Sequence, residues 1–278
     1  MDVFEIITDR MIKQMESGIV PWRKPWFGKS MAVSHATGRP YSLLNQMLLA
    51  TPGEYITKNA IAKENGRIKK GEKASVIFEQ IWKEEKDDDG NIVKRWCTNR
   101  YVNVWRMDQV EGIAARYGVQ ITESAHRQTE ADKVVEEYQA REPVKISYNG
   151  ESAFYRPGTD EIVVPNVDRF TETAEFYSTL FHEMVHSTGH ESRLKRLTSG
   201  TRFGDEVYSK EELVAEIGSA ALVQKTGLET EESFTNSTAY VQGWLKELQN
   251  DRHMIIDAAK AAEKAVAFIL NNTSVETL

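Results

Sequence analysis

The spacing of apolar positions changes period several times along the chain. Phe4, Ile7, Met11, Ile12 and Met15 recur at helical intervals and predict a first helix over Asp2 to Gly18, with Gly18 as its stop. VPWRKPWFGKS follows, an irregular stretch holding two prolines and two tryptophans. TGRPYSLLNQMLLA reads as a turn and a short apolar helix, and a further helix is expected from Thr57 to Asn65, ending at Gly66. ASVIFEQIWK and VKRWCTNRYVNVWRM are rich in Val, Ile and aromatics and predict two strands. The charged loop KEEKDDDGN joins them as a hairpin with Asp89-Gly90 at its tip. Alternation in the second strand puts Tyr101, Asn103 and Trp105 on one face, with Val102 and Val104 opposite.

Composition shifts over Gln109 to Gly118, and a polar helix is expected from Glu123 to Glu142. Two short strands, VKISYN and SAFYR, lead through the turn PGTD into a third, EIVVP. A helix over Thr171 to Thr188 carries Glu172 and Glu175 in its first turn, where they suit the helix dipole. Another covers Ser209 to Lys225 and stops at Gly227, and a helical tail runs from Ser237 to Asn271. The expected fold class is α+β in two domains: an N-terminal mixed α/β domain over residues 1–125, and a C-terminal domain over residues 126–278 ending in the tail. The strand EIVVP could accept an extended peptide at a sheet edge.

Composition adds three constraints. Hydrophobic residues at 40% and charged residues at 28% suit a globular chain. The single cysteine, Cys97, excludes an internal disulfide and a thiolate-built zinc site, which points to the cytoplasm. No run of about 20 apolar residues predicts a membrane span, and MDVFEIITDRMIKQ lacks the apolar stretch of a secretory signal. The net charge of −7 hides an asymmetry: residues 1–113 hold 18 Lys and Arg against 15 Asp and Glu, so the front is +3 and the remainder −10. Nucleic-acid contact therefore belongs to the front.

The sharpest chemical signal is HEMVHSTGH, His182 to His190. His182 and His186 lie one helical turn apart and can grip one ion, with Glu183 beside them as general base for an activated water. HExxH arises by chance in about one chain of this size in a hundred, and its place within an amphipathic helix after a hairpin strengthens it. A catalytic ion wants a third protein ligand. His190 falls past the helix end, so a carboxylate from YSKEELVAEIGSA is expected, with Glu211, Glu212 and Glu216 on offer. Glu212 and Glu216 share a face. Glu212 is assigned as ligand and Glu216 as its support, an order that could be reversed. Tyr208 and His190 are candidates to stabilise the tetrahedral intermediate. Zinc is the default ion, and manganese or cobalt could occupy the same ligands. His35, His126 and His253 are isolated and receive no chemical role.

In the front half, Trp22, Arg23, Lys24 and Trp26 interleave rings with cations. Arg67, Lys69, Lys70 and Lys73 cluster at a turn, and Trp82, Trp96, Tyr101 and Trp105 lie on the expected strands. Sequence-tolerant single-strand binding uses this mixture, although core aromatics with a solvated basic rim would look the same.

Taken in order, TDRMIKQMESGIVPWRKPW, TGRPYSLLN, GRIKKGEKA, VWRMDQVEG, DEIVVP, FHEMVHSTGHESRLKR, YSKEELVAEIGSA and AYVQGWLKEL resemble the ArdC-type antirestriction proteins of plasmids and other mobile elements over nearly the whole chain. The resemblance implies an N-terminal domain binding single-stranded DNA without sequence preference. It also implies a C-terminal zincin-like metallopeptidase domain and protection of incoming DNA from host restriction. It would place Arg39, Tyr41 and Asn45, within TGRPYSLLN, among the DNA-binding residues. It maps the family's metal site onto His182, His186 and a carboxylate of EELVAE. Tyr55 and Trp105-Arg106 depart from the usual family residues while keeping an aromatic. Rival readings are a binding protein whose metal is only structural, a protease clearing proteins from DNA, and a protease acting on a repressor. The expected partners are single-stranded DNA and an unidentified protein or peptide substrate, with no membrane.

Overall fold

The computed structural model describes residues 2–22, 31–49, 51–87, 89–117, 127–197, 206–228 and 238–272, without the side chains of 127–129, 206–208 and 238–242. Helix α1 (Val3–Glu16) is opened by Asp2 and Glu5, which bond reciprocally to each other's backbone amides and satisfy two otherwise unpaired donors. Its apolar stripe buries Ile7, Met11, Ile12 and Met15 as expected.

The front half is built on a four-stranded sheet in the order β1-β2-β5-β4. Strands β4 (Ser75–Lys86) and β5 (Ile92–Arg106) form the expected antiparallel hairpin. Strands β1 (Ala32–Ser34) and β2 (Gly53–Thr57), paired in parallel, are additions to the sequence reading. Helix α2 (Leu43–Leu49) reaches both sheet edges with adjacent amides. Asn45 donates to the Phe78 carbonyl at 2.9 Å and accepts from the Phe78 N–H at 2.8 Å, while Gln46 does the same for Ala32 at 2.9 Å each. Each amide thereby replaces a missing neighbouring strand, which satisfies buried backbone groups. Helix α3 (Lys58–Lys63) and a two-stranded ribbon of β3 (Arg67–Ile68) and β6 (Val110–Glu111) close this half. His35 is buried between Glu54 and Glu64, and Glu54 also accepts the backbone N–H groups of Arg116 and Tyr117. Glu54 thereby pins the segment at Arg116 and Tyr117, and His35 is its buried partner.

The back half begins with α4 (Arg127–Arg141) and a three-stranded sheet of β7 (Lys145–Ser147), β8 (Phe154–Arg156) and β9 (Glu161–Val163), in the order β7-β9-β8. The strand EIVVP is therefore the central one, flanked on both sides, and the edge expected for a peptide there is already filled; β8 is an edge instead. Helices α5 (Thr173–Thr188), α6 (Glu206–Thr226), α7 (Thr238–Asn250) and α8 (Met254–Ile269) follow. The expected single tail is two helices, and it is not peripheral. Ile255, Ile256, Ala258, Ala259, Ala262, Ala265 and Ile269 of α8 are buried in a core that also contains Ile7, Met11, Leu44 and Phe78 from the front. Trp22 meets Trp244 edge-on at 6.5 Å, and Thr8 donates to the Arg252 carbonyl at 2.6 Å. The last helices thus join the two halves through one apolar core. Among the described residues no helix is long and apolar enough to cross a membrane.

Candidate metal centre

Helix α5 turns Phe176, Tyr177, Leu180, Phe181, Met184 and Val185 into the core, which leaves His182 and His186 together on the opposite side, only partly covered. Helix α6 crosses them antiparallel: Glu216 lies by His182, and Glu211 and Glu212 by His186. A close approach makes this possible. Gly218 leaves no room for a Cβ, which would stand 2.8 Å from Val185 Cγ2, and the Ser219 hydroxyl donates to the Ser178 carbonyl at 2.7 Å.

His182, His186 and Glu212 point ligand atoms at one spot. The two Nε2 atoms are 3.1 Å apart, His182 Nε2 is 3.5 Å from Glu212 Oε2, and His186 Nε2 is 3.3 Å from Glu212 Oε1. An ion with bonds of about 2.0–2.1 Å in tetrahedral geometry sets its ligands about 3.3–3.4 Å apart. The spacing of the donor set therefore suits a divalent ion.

Each histidine also has a carboxylate behind it. Glu211 Oε1 is 3.3 Å from His186 Nδ1, and Glu216 Oε1 is 3.9 Å from His182 Nδ1. Such partners fix ring orientation and raise ligand basicity. Burial alone would lower the pKa of His186, but its hydrogen bonds to Glu211 and Glu212 outweigh that and raise it to about 10. Burial pushes Glu212 up, yet the hydrogen bonds from His182 and His186 hold it far below the usual carboxylate range. The two shifts are the two sides of one interaction: the glutamates favour the charged imidazole of His186, and the histidines favour the charged carboxylate of Glu212. Glu183, almost fully buried, has its pKa raised, chiefly by desolvation and against the pull of the two histidines. The backbone N–H of Tyr155 in β8 is directed at it.

Two arginines absent from the sequence reading hold this arrangement. Arg196 clasps Glu211 with Nε at 3.1 Å and Nη2 at 2.9 Å, and donates to the Val185 carbonyl at 2.8 Å. Arg193, 1% exposed, bonds the Ser187 carbonyl at 2.7 Å, Asp160 and Tyr155. Both cap the last carbonyls of α5, a habit of basic residues after a helix end, and that position was the available signal. His190 lies outside the ligand cluster, its Nδ1 2.8 Å from the Ser192 hydroxyl. The side chain of Tyr208 lies outside the described residues.

Known proteins share this layout. Residues 1–136 match the family model of the N-terminal domain of anti-restriction factor ArdC, and residues 130–261 match that of a zincin-like metallopeptidase. A crystal structure of the antirestriction ArdC protein from plasmid R388, metal-free, superposes with a TM-score of 0.74 at 31% identity, covering 98% of both chains. The chain belongs to the ArdC antirestriction family. The Mn(II)-bound structure of that R388 protein gives a TM-score of 0.75 at 28% identity over the whole of both chains, so a divalent ion is at home in this fold. An Escherichia coli DNA primase, TraC, is 32% identical over 96% of this chain, but the chain spans only 27% of the primase.

Within this ArdC-family chain, the front-half candidates separate by burial. Trp22 and Trp105, expected to stack on bases, are 5% and 8% exposed; their rings fill core positions, and neither offers a face to solvent. Asn45 spends its amide on Phe78, and Tyr41 packs beside Tyr55 and Ile77. Arg39, Arg67, Lys69, Lys70 and Lys73 are exposed, with Arg67 paired to Glu111 and Lys69 donating to the Asp108 carbonyl. Arg23, Lys24 and Trp26 lie outside the described residues.

Proposed function

We propose that this ArdC-family protein protects incoming plasmid DNA in the cytoplasm by binding single-stranded DNA through its front half. In the same reading its back half carries a metal-dependent peptidase centre, with zinc the ion of first choice. The observation behind the second part is the convergence of His182, His186 and Glu212, with Glu183 adjacent and desolvated. The bound ion would supply Lewis acidity and lower the pKa of a water molecule. Glu183 would accept that water's proton and pass it to the leaving amine, a role suited to a carboxylate whose basicity is raised by burial. Glu211, braced by Arg196, keeps His186 aimed, and Glu216 backs His182. A buried base beside the ligands has no use in a purely structural site, which favours catalysis. The test is Glu183→Ala in the full chain: bound zinc per molecule should stay near one while cleavage of an unfolded protein substrate disappears. Loss of the metal along with activity would instead mark Glu183 as a ligand. Protection of DNA by the same variant in a restriction assay reveals whether cleavage serves antirestriction.

A further inference from the structure

The β4–β5 hairpin extends well beyond the sheet, and its outer part carries aromatic rings in solvent: Trp82 is 47%, Tyr101 45% and Trp96 38% exposed. Register assigns these rings to faces. Phe78 pairs with Tyr101, Gln80 with Asn99, Trp82 with Cys97 and Glu84 with Arg95, so these eight side chains share one face. Trp96, opposite Lys83, is on the reverse.

The first face is organised. Trp82 and Tyr101 stand four residues apart along the ladder, about 14 Å. Between them the Gln80 and Asn99 amides touch at 2.8 Å. The Arg95 guanidinium lies over the Trp82 ring at 5.0 Å. At the base, Lys260 of α8 sits over Phe78 at 5.1 Å, with Lys264 one turn further on. The acidic groups here are occupied: Glu84 is 3.5 Å from Arg95, and Asp257 is held by Lys210 at 2.8 Å. Among the described residues the reverse face has one exposed ring, Trp96 with Lys94 over it at 5.5 Å, and no second ring to stack on; its Arg100 is neutralised by Glu79 at 2.5 Å.

We infer that the face bearing Trp82 and Tyr101 is the stacking platform for single-stranded DNA, an inference that rests on the DNA-binding part of the proposed function. Two rings on one strand face, hydrogen-bonding amides between them and a lysine at the base match an unpaired strand. Bases stack on the rings, the amides meet base edges, and Lys260 faces a phosphate. The gap leaves room for a base at each ring and one at the amides. A folded protein partner would want a continuous apolar patch, which the amide pair interrupts.

The experiment measures binding of a fluorescein-labelled oligothymidylate to the full chain at low salt. Trp82→Ala and Tyr101→Ala should each weaken binding at least about five-fold. Trp82→Phe should retain most of the affinity while losing much of the tryptophan quenching that DNA causes. Trp96→Ala should change affinity less than about two-fold. All three positions are exposed, and a thermal melt of each of the four variants confirms its fold. DNA binding by the parent protein with both alanine variants within two-fold of it would overturn the platform and leave the proposed function standing. No binding by the parent protein would overturn both.

Discussion

Gly218 offers a direct test of how the metal centre is assembled. Adding one methyl group in Gly218→Ala puts a carbon 2.8 Å from Val185 Cγ2 and 3.1 Å from Cγ1. Carbon atoms at rest sit about 3.5–4.0 Å apart, so α6 must retreat from α5 by about 1 Å. Metal–ligand distances tolerate about 0.2 Å. Glu212, two turns away on the same helix, would then no longer close the triangle with His182 and His186. Overpacking of this kind costs about 1–3 kcal/mol, a loss of about 2–4 °C in Tm per kcal/mol for a chain of this size. The assay is a thermal melt with and without excess zinc, together with zinc affinity by competition. Gly218→Ala should lower the metal-free Tm and shrink the gain on adding zinc. Val185→Ala, which removes both clashing atoms, should restore part of each in the double variant, a coupling of about 0.5–3 kcal/mol. Unchanged zinc affinity in Gly218→Ala, or strict additivity of the two substitutions, would refute the idea that the Gly218–Val185 contact sets the ligand geometry.

Three further outcomes are expected. Glu211→Ala removes the partner of His186 Nδ1 without touching the ligand triangle and should weaken zinc binding about 10- to 100-fold by competition titration; full affinity would remove Glu211 from the account. Asn45→Ala strands the Phe78 backbone and should cost about 2–4 kcal/mol in denaturant unfolding, whereas a DNA-contacting residue would leave stability alone. Burial alone would raise Asp160, but bonds from Arg193 and Tyr155 outweigh it and hold its carboxyl below the ordinary range. A depressed folded pKa stabilises above the unfolded value, about 3.9, and that stability is lost as pH falls through the folded pKa. Asp160→Asn should therefore flatten the decline of unfolding free energy below about pH 4, and an unchanged slope would contradict it.

The candidate cluster of His182, His186 and Glu212 was legible in the sequence because its placement rests on helical periodicity. His182 and His186 on one turn, and Glu212 and Glu216 on another, share faces whatever else the chain does. Glu211 was harder to place, since its role depends on how α6 crosses α5, where Gly218 packs closely against Val185. The long hairpin was equally readable from its alternation and turn. Strands β1 and β2 were not, because three to five residues cannot establish a period, and the outer edge of β1 is completed by the Gln46 amide of α2. Burial of Trp22 and Trp105 was hidden for a related reason: an aromatic on a strand or loop looks the same whether its neighbour is Trp244 or solvent. The tail deceived in the same way. Its alanines fitted any helix, and only the fold shows them packed at the junction of both halves.

The most direct test of the central claim is anomalous diffraction at the zinc edge from zinc-loaded crystals of this protein. One peak about 2.0–2.2 Å from His182 Nε2, His186 Nε2 and a Glu212 carboxylate oxygen is the predicted result. A peak held by Glu216 or His190 in place of Glu212, or none near α5, would contradict it.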